Sequence, residues 1–199
     1  MNTYQELPEG YKEILSIDLQ KNKKLAAIVN GLGALIAIIM IVAIYLLYKF
    51  ADLGIPGFNL YDMSEGMVIY FIRLGVLIVG MIVYMVLHEL VHGITMKYFG
   101  SKKVKYGFTG MYAYAGSEDY FTKNPYIVIA LAPVVVWGVV LLVLNCVVPD
   151  TWFWIVFIIQ VINISGAAGD LYVTGSFSKL PKDILVQDVG VSMKVYSAN

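Results

Sequence analysis

The stretch GMVIYFIRLGVLIVGMIVYMVLHELVHGITMKYF, Gly66 to Phe99, decides how this chain is read. Only Arg73, His88, Glu89, His92 and Lys97 interrupt its apolar run. A helix needs about 20 such residues to cross the hydrocarbon core of a bilayer, and this one has enough. Inside it lies His88-Glu89-Leu90-Val91-His92, an HExxH pattern holding both histidines of the chain. Side chains four residues apart lie one above the other on a helix face. Two imidazoles so placed can share one Zn2+, with Glu89 as the base of a metallohydrolase. Burying a Glu and two His in lipid is costly, so ionisable groups at such positions mark function.

Three further segments extend this reading. Leu25 to Tyr48 carries no charge, Pro125 to Val148 contains Pro133 as an expected kink, and Thr151 to about Tyr172 ends near Asp170. Mean hydropathy is +0.75 and 59% of residues are hydrophobic, well above a soluble domain. Net charge is zero, which gives no basic surface for nucleic acid. Cys146 is the sole cysteine, so an internal disulfide and a thiolate-rich metal site are both excluded. The polar start MNTYQELPEG has no signal-peptide pattern. The expected fold is an all-α membrane protein of four transmembrane helices (about 25–48, 66–99, 125–148 and 151–172). Residues 1–24 and 176–199 flank the 25–175 membrane domain as cytoplasmic segments.

Lysine placement sets the expected orientation. Lys12, Lys21, Lys23 and Lys24 precede the first helix, Lys97 to Lys123 lie between the second and third, and Lys179, Lys182 and Lys194 follow the fourth. The positive-inside rule then places both termini and the 100–123 loop in the cytoplasm. His88 lies about 22 Å along the axis from Arg73, and Asp170 about 28 Å from Thr151, both toward the cytoplasmic half. Catalytic zinc sites keep three protein ligands and an open position. With no third histidine, the remaining ligand should be a carboxylate, and Asp170 is the leading choice. Glu118 and Asp119 are rivals, although a solvated loop suits them better. The small residues Ser165, Gly166, Ala167, Ala168 and Gly169 allow close helix approach ahead of Asp170.

Between the second and third helices, Val104, Tyr106 and Phe108 alternate with Lys103, Lys105 and Gly107, and Tyr112 and Tyr114 alternate after Thr109-Gly110. This predicts a β-hairpin over about 103–115. Its edge could bind an extended substrate through Val104, Tyr106 and Phe108, or its aromatic residues could anchor at the lipid interface. Asn163 could hold substrate or a developing oxyanion, or make an interhelical hydrogen bond. Arg73 is expected to snorkel outward and Cys146 to pack.

HELVHG, the ALAP of Ala130 to Pro133, the Asn163-x6-Asp170 spacing with SGAAGDLYV, and the tail KLPKDILVQDVG together resemble a zincin-type peptidase family of small bacterial membrane proteins. The similarity runs from about Tyr61 to Gly190. More distantly the chain is similar to the site-2 proteases, intramembrane metalloproteases that hold zinc with two His of HExxH and a later Asp. The resemblance implies zinc on His88, His92 and Asp170, with Glu89 catalytic. Leu171 follows Asp170 where site-2 proteases commonly have glycine.

The expected function is a zinc-dependent intramembrane or membrane-proximal peptidase of a bacterial cytoplasmic membrane. Its partners would be membrane-associated protein substrates and the bilayer, with oligomeric state open. The alternative is a non-catalytic metal-binding membrane protein, a sensor or structural site rather than a transporter. The first and third helices carry no ionisable residue to build a transport path.

Overall fold

The computed structural model describes residues 2–110, 112–190 and 192–198. In chain order the elements are β1 (Thr3–Tyr4), β2 (Lys12–Asp18), α1 (Lys23–Phe50), α2 (Met67–Tyr98), β3 (Lys105–Phe108), β4 (Ala113–Gly116), β5 (Tyr120–Thr122), α3 (Lys123–Val147), α4 (Asp150–Gly166), α5 (Ala168–Ser178), β6 (Leu185–Asp188) and β7 (Ser192–Ser197). Four helical segments are long and apolar enough to cross a membrane: Lys23–Phe50, Met67–Tyr98, Lys123–Val147 and Asp150–Ser178. Only 11% of the most apolar stretch of the first is buried. Residues such as Ile38, Val79 and Leu142 are therefore turned outward, as suits a surface that meets hydrocarbon rather than water.

The expectation of an all-α fold with one hairpin is corrected. β1, β5, β6, β7 and β2 form a five-stranded antiparallel sheet in that order, and β3 and β4 form a separate antiparallel pair. Met111, in the β3–β4 connection, lies outside the described residues. Residues 1–24 and 176–199, expected as flanking segments, supply four of the five strands. The physical reason is long-range pairing. Thr3 pairs with Phe121 and Leu15 with Val195, so no local period announces the sheet.

A second correction concerns the fourth membrane segment. It runs on to Ser178, and it breaks at Ala167 (φ −82°, ψ 18°), whose N–H bonds to the Ser165 carbonyl. α5 therefore starts afresh at Ala168 and places Asp170 in its first turn.

The chain divides into two compact units. Gly31–Met85 with Val134–Ala168 makes the first, held by close helix packing and interhelical hydrogen bonds. A Cβ on Gly33 would lie 2.8 Å from the Ser165 carbonyl oxygen, so α1 and α4 approach where only glycine fits. Asn163 is fully buried; it accepts from the Tyr84 hydroxyl at 2.9 Å and donates to the Val134 carbonyl at 3.2 Å. Arg73 does not snorkel outward: it is 4% exposed and pairs with Glu65. An ion pair removes the need to reach for water. Cys146 does not pack inside but is exposed, on a helix whose outer face is apolar.

Met1–Asn30, Val86–Pro133 and Gly169–Asn199 make the second unit. Its core joins Ile17, Phe121, Val186 and Val195 of the sheet to Met96 of α2, Tyr126, Ile129 and Ala130 of α3, and Val173 and Phe177 of α5. The α2 end is closed by a Schellman motif. Gly100 (φ +103°) donates to Lys97, and the Ser101 N–H reaches the Met96 carbonyl at 3.0 Å. Lys123 Nζ caps the C-terminus of α5, donating to the Ser178 and Leu180 carbonyls at 2.8 and 2.6 Å. The sheet thus clamps the ends of three helices.

Truncating a wholly buried aromatic removes about 3–5 kcal/mol, whereas an exposed one costs about 0.5 kcal/mol or less. Phe121→Ala in the sheet should therefore lower the melting temperature in detergent sharply, while Phe108→Ala, 62% exposed on β3, leaves it nearly unchanged. Thermal unfolding followed by circular dichroism checks both.

Candidate metal centre

His88, Glu89 and His92 occupy two successive turns of α2 in the second unit, and Asp170 opens α5. The Asp170 carboxylate bridges the two imidazoles. Its Oδ2 lies 3.6 Å from His88 Nε2 and its Oδ1 3.6 Å from His92 Nε2. One ligand atom from each of the three residues falls within 4.8 Å of the others, and both histidines are buried. Zinc bonds of about 2.0–2.1 Å give tetrahedral edges of about 3.3 Å, so an N2O donor set at this spacing fits the ion with little adjustment. No other His, Cys, Asp or Glu cluster of this kind occurs among the described residues.

The rings are held from behind. His92 Nδ1 lies 2.9 Å from the Ile129 carbonyl of α3. A carbonyl only accepts, so Nδ1 carries a proton and Nε2 is left as the nitrogen that faces Asp170 and can take a metal. Behind Asp170, the buried Tyr126 hydroxyl donates to Asp188 Oδ2 at 2.7 Å, and both groups lie within electrostatic reach of Asp170. Burial pushes the Asp188 carboxyl up from its ordinary range, offset in part by hydrogen bonds from Tyr126 and the Gly190 N–H.

The β3–β4 pair lies over Glu89. The backbone of Ala115 on β4 comes within electrostatic reach of the Glu89 carboxylate. Tyr106, cross-strand partner of Ala115, rests its phenol on Gly93, one turn beyond Glu89. A Cβ at Gly93 would strike that ring, so the glycine after the second histidine is what admits it. Burial and the nearby Glu89 carboxylate push the Tyr106 phenol up, which keeps its O–H as a donor at neutral pH.

The other residues singled out from sequence fall elsewhere. Asp119 is buried and accepts from Ser101 Oγ at 2.8 Å and the Lys102 N–H at 3.0 Å. Glu118 is paired with Lys105 at the surface. Neither joins the His88, His92 and Asp170 cluster. Val104 packs against the hydrophobic core rather than facing outward, because it precedes β3, while Tyr106 and Phe108 are exposed. Asn163 belongs to the other unit, its amide bonded to Tyr84 and Val134. Sequence reasoning missed Ala115, the Ile129 carbonyl and the Tyr126–Asp188 pair. Backbone groups carry no sequence signature, but Pro133, a weak helix residue in a strongly helical stretch, points at the Ile129 carbonyl, as Gly93 points at the Tyr106 ring.

Comparison with known proteins supplies the family. A family model described as "Putative zincin peptidase" matches residues 81–185. A curated relative, an uncharacterized 24.7 kDa protein in gap 5'region of Pyrococcus woesei, is 31% identical over 123 residues, 59% of this chain and 53% of the relative. The chain thus spans about half the length of that relative. No solved structure matches the chain. The family match covers more than half of the sequence and contains His88, Glu89, His92, the β3–β4 pair and Asp170, so the chain belongs to this zincin peptidase family.

Proposed function

We propose that this protein is a zinc metallopeptidase that hydrolyses peptide bonds of membrane-associated proteins within or beside the bilayer, in the manner of a site-2 protease. The observation that carries the reading is the convergence of His88, His92 and Asp170, with Glu89 beside them, on helices apolar enough to cross a membrane. Zinc held by those three ligands supplies Lewis-acid polarisation of the scissile carbonyl and lowers the pKa of water toward about 7. His88 and His92 hold the metal through Nε2, and Asp170 completes the set through its carboxylate. Glu89 takes the proton from the attacking water and delivers it to the leaving amine.

The substrate lies along β3. That strand pairs with β4 on one side, and no strand pairs with its other edge among the described residues. A peptide adding to this edge is held extended by main-chain hydrogen bonds, which opens a helical segment for cleavage. Tyr106 and Phe108, 48% and 62% exposed, offer apolar contacts to its side chains, with the Tyr106 hydroxyl next to Glu89. Asn163 serves helix packing in this reading. The lysine distribution assigns the site to the cytoplasmic side.

Metal content separates ligands from base. Detergent-purified wild type should hold one zinc per chain by atomic emission. His88→Ala, His92→Ala and Asp170→Ala should lose it, while Glu89→Gln should keep it. Wild-type protein that takes up no zinc when supplied with it would sink the reading. Retention by Glu89→Gln should accompany about a 10²- to 10⁴-fold loss of cleavage, the usual contribution of a general base. Membrane proteins that accumulate in a Glu89→Gln strain, identified by quantitative proteomics and then used as purified substrates, supply that measurement. An unchanged membrane proteome together with undiminished turnover would show that Glu89 is not the base.

A further inference from the structure

Pro133 sits inside α3, fully buried, ten residues into a helix that continues to Val147. In an α-helix the residue at this position donates its N–H to the carbonyl four residues earlier, here Ile129. Proline has no N–H, and its ring crowds that same carbonyl outward. The Ile129 carbonyl is thus released from the helical ladder at a place where water does not reach, since Ile129 is 1% exposed. A buried carbonyl without a donor costs about 1–3 kcal/mol. The donor it meets is His92 Nδ1, at 2.9 Å.

We propose that Pro133 is a positioning residue of the metal centre. By withholding an N–H from Ile129 it leaves that carbonyl to His92, which fixes both the tautomer and the ring orientation that aim Nε2 at Asp170. The inference rests on the reading of His92 as a metal ligand. The dependence runs both ways. The carbonyl needs the imidazole N–H because the helix cannot supply one, and the imidazole needs the carbonyl because a free ring would populate both tautomers and several rotamers. Only one of those tautomers presents a lone pair at Nε2. The geometry is specific to residue 133. A proline at any neighbouring position would release a carbonyl on a different face of α3, since each step along the helix turns by about 100°.

This device separates metal affinity from stability, which a proline retained for packing would not do. Pro133→Ala restores the helical N–H and a better helix former, so the metal-free protein should melt at the same temperature or higher. Its zinc affinity should fall about 10- to 100-fold, the usual loss when the partner of a metal-bound histidine is removed. Both are read on the full-length protein in detergent, by competition for Zn2+ with a chromophoric chelator and by thermal unfolding of the metal-free form. A second readout needs no metal. The chain has two histidines, so 15N labelling of histidine resolves both rings. Measured at alkaline pH, where both rings are neutral, the metal-free wild type should hold the His92 proton on Nδ1, and in Pro133→Ala it should relax toward a mixture.

Equal zinc affinity of wild type and Pro133→Ala, or an unchanged His92 tautomer, overturns the proposal. So does a drop in melting temperature proportionate to the loss of affinity, which would make the proline a packing residue. Failure of the wild type itself to bind zinc overturns instead the metal reading on which the proposal stands, and the tautomer measurement then still judges the Ile129 contact by itself.

Discussion

Every ionisable side chain held among apolar helices must find a partner, because hydrocarbon offers none. His88, Glu89, His92 and Asp170 are such a group, and the unit around them is organised by that demand. The two imidazoles meet one carboxylate. His92 spends its other nitrogen on a carbonyl that its own helix cannot satisfy. Glu89 lies under the β3–β4 pair, whose Tyr106 and Ala115 come within its electrostatic reach. A buried polar group left without its partner costs about 1–3 kcal/mol, so these contacts hold one another in place. What they give is a fixed geometry, since a partner lost would leave a charge or a lone pair stranded.

The five-stranded sheet is the mechanical support for that geometry. Its inner face packs on α2, α3 and α5 near the residues that carry the site, through Met96, Ile129 and Val173. The β6–β7 turn reaches β4 directly. The Asp188 carbonyl accepts the Ser117 N–H at 2.6 Å, and the backbone of Val189 and Gly190 lies so close to Gly116 that no Cβ fits there. Ala115, whose backbone lies near Glu89, is the residue before Gly116. The turn between β6 and β7 thus fixes β4, the strand that lies over Glu89. The Asp188 side chain, bonded to Tyr126 at the start of α3, ties the same turn to the helix that presents Ile129. Apolar burial, at about 25 cal/mol per Å2, is what lets this sheet hold the polar groups of the helices in register.

These relations explain what could be read from sequence and what could not. The four helical segments announce themselves because the bilayer sets a length and a composition that few soluble segments meet. HExxH is legible because its chemistry depends on two side chains of one helix, whose relative placement is fixed by 3.6 residues per turn. Asp170 is legible by scarcity, being the one acid besides Glu89 deep in these segments. The sheet is a different case. β1 has two residues and β5 three, too short to show any alternation, and their partners lie more than 60 positions away. The bulge between Glu13 and Leu15 further blurs β2, turning Ile14 outward and spoiling the period of two. Arg73 and Cys146 were misread for a related reason. Their surroundings are set by Glu65 and by the outward face of α3, neither of which follows from composition.

Small and rigid residues near the site carry more information than their size suggests. Gly93 and Pro133 both lower helix propensity, and a sequence selected for helix stability alone would avoid them. Each is matched to a contact made by the opposing element. Gly93 leaves room for the Tyr106 phenol, and Pro133 leaves a carbonyl for His92. Local stability is given up at two positions, one turn from Glu89 and one turn from the carbonyl that meets His92, and both lie within the stretch matched by the family model. Local rules broken beside a reactive constellation are what consistency across levels of structure leads one to expect of a working site. Gly33 breaks the same rule for helix packing alone, so it is the contact with Tyr106 or with His92 that sets these two positions apart.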